Sequence, residues 1–96
     1  MQPPAYIDGA KVIIWAWSGE TAFNYSPHII RDECDEVYGL AICRYPNGSA
    51  TQVYRFSCNK DWETVNDGLY KSIEEAIVCL PYQYQAVPAE WKRMPD

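Results

Sequence analysis

The side chains able to do covalent or metal chemistry are few: four cysteines and one histidine, set among thirteen carboxylates in a chain of 96 residues. Cys34, Cys43, Cys58 and Cys79 lie nine, fifteen and twenty-one residues apart, with no Cys-x-x-Cys pair. A zinc site would need four isolated ligands gathered by the fold alone, so the spacing argues against one. Cys43, Cys58 and Cys79 sit inside patterned elements and read as buried, reduced thiols that act as small hydrophobes. Cys34 lies in an acidic stretch, where neighbouring carboxylates raise a thiol's pKa and disfavour a nucleophile. His28 follows Pro27 and has no Ser or Cys at motif spacing, so it reads as a surface or capping residue. The chain has no Gly-rich phosphate loop, no Gly-x-Ser-x-Gly elbow, no His-Glu-x-x-His and no dinucleotide fingerprint. These absences disfavour an enzyme, and neither metal nor cofactor is expected.

What remains is acidity. Asp32, Glu33, Asp35 and Glu36 crowd five positions, and Asp61, Glu63 and Asp67 follow in a second acidic segment around Trp62. The first run lacks the alternating oxygen ligands, central Gly and closing Glu of a calcium loop. Like charges this close repel and favour a solvated segment, and a net charge of -5 gives the surface a negative field. Lys92-Arg93 is the only basic pair, too little for a nucleic-acid footprint. Such an acidic run is most often simply a wet loop or the start of a short helix, and where it does meet a partner, that partner is a protein with a basic surface. Asp32, Glu33, Asp35, Glu36, Asp61, Glu63 and Asp67 would steer it, and Trp62 or Tyr82 would anchor it. For Trp62 a plug at the end of the hairpin competes with the anchor, and the plug is preferred because a small domain rarely leaves a large ring in water.

The elements that must position these groups are clearest between Tyr38 and Pro81. Tyr38 to Tyr45 is apolar until Arg44, as in a central strand covered on both faces. Pro46-Asn47-Gly48-Ser49 has turn chemistry, and Thr51 to Cys58 returns with alternation: Tyr54, Phe56 and Cys58 inward, Val53, Arg55 and Ser57 toward water. Asp61 to Gly68 reads as a connector ending in the turn pair Asp67-Gly68. Ser72 and Glu75 form a capping box, and Ile73, Ala76, Ile77 and Leu80 make one apolar stripe before Pro81 ends the helix. Upstream, residues 1–10 read as an extended lead-in with Tyr6 and Ile7 tucked in, and Lys11 to Trp17 as a buried strand. Thr21 to Ser26 suggests a short strand, and Pro27 to Val37 a wet loop. Downstream, residues 82–96 form an arm: Tyr82 to Val87 extended, Pro88 to Arg93 a helical turn held down by Trp91.

The length suits one domain over residues 1–96, and fourteen aromatics supply much of its core. The longest apolar run, Val12 to Trp17, is six residues against the roughly 20 of a spanning helix. Met1-Gln2-Pro3-Pro4 lacks the basic start and apolar core of a secretion signal, which points to the cytoplasm. The expected fold is α+β: a small antiparallel sheet of three to four strands around the hairpin at 38–58, with one helix at 72–80 packed on one face. No oligomeric state follows from the sequence.

The segments Gly39-Leu-Ala-Ile-Cys-Arg-Tyr45, Tyr54-Arg-Phe-Ser-Cys58, Asp61-Trp62-Glu63, Asp67, Tyr70 and Ser72-Ile-Glu-Glu-Ala76 resemble a group of small uncharacterised bacterial proteins, as do Pro3-Pro4 and Asp8-Gly9-Ala10. The resemblance leaves out about Gly19 to Val37. Those proteins are similar in size, acidity and strand-strand-helix layout to immunity proteins of polymorphic-toxin and contact-dependent systems. It implies an inhibitor that occludes a toxin and performs no reaction, and it transfers no binding residue. Other classes stay open: a phage-type anti-defence protein mimicking nucleic-acid charge, a structural subunit with an exposed apolar patch, or a small enzyme without a recognisable motif.

Overall fold

The computed structural model describes residues 1–27, 34–49, 51–79, 87 and 89–95, with the backbone alone at 24–27, 34 and 35. Among the described residues the strands are β1 (Tyr6–Ile7), β2 (Ala10–Trp17), β3 (Asn24–Pro27), β4 (Cys34–Val37), β5 (Gly39–Arg44), β6 (Val53–Cys58), β7 (Thr64–Tyr70) and β8 (Lys92–Arg93), and one helix, α1 (Ile73–Val78), follows β7. The main sheet has six strands in the order β1-β2-β5-β6-β7, with β8 also paired to β2, and every pairing is antiparallel. β3 and β4 form a separate two-stranded ribbon.

The fold class expected from sequence is thereby corrected. The chain is mostly sheet, an open, curled half-barrel, and its helix is a short appendage rather than a layer. Three segments account for the difference. Residues 64–70 are a full strand, not a connector, and the supposed turn pair Asp67-Gly68 lies within it, opposite Phe56 and Arg55. Residues 34–37 are strand where a wet loop was expected, and Lys92–Arg93 pair with β2 instead of closing a helical turn. Leu80, Pro81 and the expected extended stretch from Tyr82 to Ala86 lie outside the described residues, as does His28.

Pairing register assigns side chains to two faces. Ile7, Ala10, Val12, Trp15, Ala41, Cys43, Phe56, Cys58 and Trp62 form the core of one face. Ile14, Ile42, Val53 and Ala76 form that of the other, joined by Ile73, Ile77, Tyr70 and Trp91. A bulge at Ile13, between the pairs Val12↔Cys43 and Ile14↔Ile42, lets β2 supply apolar residues to both. The first face is the inside of the curl, because Thr64 on β7 donates a 2.7 Å hydrogen bond to Asp8 in the β1–β2 turn, joining opposite margins of the sheet.

The second face was expected to be wet along β6, and it is covered. Arg55 is 5% exposed; its guanidinium donates to the Ala76 carbonyl at 2.7 Å and lies 4.7 Å from the centre of the Tyr70 ring. A cation thus sits on a carbonyl in the last turn of α1, whose own last turn has no basic residue. The N-cap is close to the expected one: Ser72 Oγ accepts from the Glu75 amide at 3.0 Å, while Glu75 accepts from the Lys71 amide rather than that of Ser72. Cys79, expected in the core, caps the helix and is exposed. Tyr6 is also exposed, although Ile7 is buried as expected.

Candidate functional site

The acidic segment after β6 is built on one side chain. Asn59 Oδ1 accepts from the amides of Asp61 at 2.9 Å and Glu63 at 3.0 Å, and Asn59 Nδ2 donates to the Glu63 carboxylate at 2.9 Å. Two backbone bonds, Asn59 N to Glu63 O and Trp62 N to Asn59 O, close the same loop. An Asn side chain that satisfies backbone amides two and four residues on fixes a turn without help from sheet hydrogen bonds.

This bracing holds Trp62 at φ 61°, a conformation uncommon for a bulky residue. Its ring turns inward, is 6% exposed, and packs edge-on to Trp15 at 6.3 Å and tilted against Trp17 at 5.5 Å. It also lies flat over Gly39, where a Cβ would fall 2.5 Å from the ring. Trp62 is therefore the plug and not the anchor.

With the ring inside, Lys60, Asp61 and Glu63 point outward, all exposed. Lys60 and Asp61, with Glu36, Tyr38 and Asn59, line a shallow, open cleft of about 230 Å3. Tyr38 donates its hydroxyl to Glu36 at 2.8 Å, and Lys60 Nζ stands 4.8 Å from the centre of its ring. The Glu36 hydrogen bond, burial and the Glu36 charge raise the Tyr38 phenol above its usual pKa, while Lys60 pulls the other way. Such a phenol stays protonated at neutral pH and acts as a donor, not a base. The cleft thus offers carboxylates, a lysine and a polar rim suited to recognition.

The residues singled out in the sequence separate accordingly. Glu36 and Asp61 share the cleft, and Glu63 belongs to the same loop. Asp67 is exposed on β7, on the inner face of the curl opposite Phe56. For Asp35 the backbone alone is described, in β4, and Asp32, Glu33 and Tyr82 lie outside the described residues. Sequence reasoning missed Asn59, Tyr38 and Lys60. The order Asn59-Lys60-Asp61-Trp62-Glu63, with an Asx residue opening a short acidic run after a strand, was the available signal.

No family model, curated protein or solved structure matches the chain. Among the described residues no helix is long and apolar enough to cross a membrane.

Proposed function

We propose that this chain is a binding module of the immunity type, an inhibitor that occludes a basic active or target-binding surface of a cognate bacterial protein toxin. The observation that carries the reading is the braced acidic loop, in which Asn59 fixes the backbone beneath Asp61 and Glu63 while Glu36 stands across the same cleft. A preformed loop loses little conformational freedom on binding, so more of its contact energy remains as affinity. Its charge, on a chain of net charge -5, raises the rate of encounter with a positive surface. The similarity in size and acidity to immunity proteins supports the same reading. The module performs no reaction and acts in the cytoplasm, where the unpaired thiols Cys43 and Cys58 suit a reducing environment.

The test uses candidate toxin domains with a basic surface, captured with the full chain and followed by stopped flow. Reversing Asp61 and Glu63 to Lys slows association by about tenfold at low salt and much less at physiological salt, because steering is screened over about 8–10 Å. Asp61→Lys leaves the melting temperature nearly constant, since that side chain is exposed, and Glu63→Lys lowers it only by the hydrogen bond it takes from Asn59 Nδ2, about 1 kcal/mol. Equal losses in association rate and thermal stability, or a rate insensitive to both changes, would defeat the proposal.

A further inference from the structure

The inner face of the curl is not sealed at its mouth. Beyond the buried row of Ala41 and Phe56, the register places Cys43, Tyr54 and Leu69 side by side, with Tyr45 next along the chain. Tyr45 and Tyr54 meet edge to face at 5.2 Å, and Tyr54 stacks on Phe56 at 6.2 Å. Leu69 is 57% exposed and Tyr45 37% exposed, so apolar and aromatic surface faces solvent here.

Two carboxylates flank this surface. Asp67 is two residues from Leu69 on the same face of β7, and no hydrogen-bond donor reaches its carboxylate among the described residues. Asp8 reaches in from the β1–β2 turn on the other margin, held by Thr64 at 2.7 Å. The turn itself lies beneath Tyr45, for a Cβ on Gly9 would fall 3.7 Å from that ring. The negative charges of both Asp8 and Asp67 are felt at the Tyr45 phenol, which is raised above its usual pKa first by burial and then by these carboxylates.

We propose that this mouth, Tyr45, Tyr54 and Leu69 between Asp8 and Asp67, is the anchoring surface for an arginine side chain of the protein partner. The chemistry fits that occupant. A guanidinium stacks on an aromatic face, its aliphatic stem covers an exposed leucine, and its donors reach a carboxylate on either side. An anionic partner is repelled by both aspartates, and a purely apolar one would bury the Asp67 carboxylate without a donor. The inference rests on the proposed binding function and gives it an anchor about which the braced loop is silent: Asp61 and Glu63 guide the approach, and the mouth holds what arrives.

The probe is N-acetyl-arginine amide, titrated into the full-length protein and followed by amide and side-chain NMR shifts, with the citrulline analogue as the uncharged isostere. Millimolar arginine amide moves resonances of Tyr45, Tyr54, Asp67 and Leu69 saturably, and the citrulline compound binds at least about fivefold more weakly. Tyr45→Leu and Asp67→Asn each weaken arginine amide by about two- to fivefold. Both sites are surface positions, and retained melting temperature and shift dispersion verify that the variants fold. Equal shifts from the two compounds, or shifts confined to residues 59–63, would overturn the anchor. The toxin-capture experiment reads the loop separately: intact capture with an unresponsive mouth removes only this inference, whereas lost capture with a responsive mouth removes the toxin reading.

Discussion

Gly39→Ala tests whether the plug organises one end of the sheet. Gly39 does not have a positive φ, so alanine fits the backbone there, and such a replacement ordinarily stabilises by about 0.4–1 kcal/mol through the unfolded chain. Here the new Cβ would lie 2.5, 2.6 and 2.8 Å from three atoms of the Trp62 ring, where ordinary contact begins near 3.4 Å. The ring must retreat by about 1 Å, and Trp15 and Trp17 pack against it while Asn59 fixes its backbone. Overpacking of this kind costs about 3 kcal/mol at the upper end of its usual range. Set against the gain of less than about 1 kcal/mol, the net loss is about 2 kcal/mol, a fall in melting temperature of roughly 8–16 °C for a domain of this size.

Thermal unfolding followed by near-ultraviolet circular dichroism reads both the loss and the disturbed indole packing. The contacting atoms, Cζ3, Cη2 and Cε3, belong to the six-membered ring of the indole, so Trp62→Phe removes the far part of the obstacle. The double variant should be more stable than the sum of the two single losses by about 1 kcal/mol or more. A neutral or stabilising Gly39→Ala, or strict additivity with Trp62→Phe, would refute the reasoning.

Asn59→Ala removes three hydrogen bonds from the loop and is expected to cost about 2 kcal/mol by urea titration, with hydrogen exchange speeding up selectively at the amides of Asp61 and Glu63. Arg55→Met leaves the Ala76 carbonyl without its guanidinium donor and is expected to cost about 1–3 kcal/mol, with amide exchange rising across α1 ahead of β6. Burial pushes the Cys43 thiol up to about 12 from an ordinary value of 9.0, and burial raises Cys58 further still. The folded state therefore keeps these protons when the unfolded chain has lost them. Their contribution is complete below pH 9 and declines as pH rises from there toward 12, by up to about 1.4 kcal/mol per pH unit for each thiol. Denaturant titrations across that range should show a flatter decline for Cys43→Ala than for the native chain; parallel curves would contradict the assignment.

Local signals in the sequence were reliable where a single element decides its own fate. The hairpin of β5 and β6, the Ser72 cap and the burial of Val12, Ile14, Trp15 and Ala16 all follow from patterns within a few residues. What failed depends on distant partners. Asp67-Gly68 has turn chemistry, yet Gly68 sits mid-strand opposite Arg55, where a Cβ would fall 2.9 Å from the Tyr70 hydroxyl. Its small size serves packing, and composition alone does not separate that use from a turn. Arg55 marks a wet face by type, but a carbonyl 21 residues away and the Tyr70 ring consume its charge. The acidic residues were visible as charge, and the inward turn of Trp62 was preferred for its size. Asn59, which makes a rigid loop of them, carries no charge and breaks no pattern.

Both ends of the described chain close on the same edge of β2. β1 pairs at Ala10 and Lys11, β8 pairs at Ile14 and Trp15, and the Met94 amide bonds to the Ile13 carbonyl in the bulge between them. A chain cleaved before Lys92 would bare the backbone of Ile13, Ile14 and Trp15, an apolar strand margin of the kind that recruits identical molecules. Proteolytic trimming at that point should thus convert a well-behaved protein into one that self-associates, and a bulky fusion placed close behind Arg93 carries the same hazard.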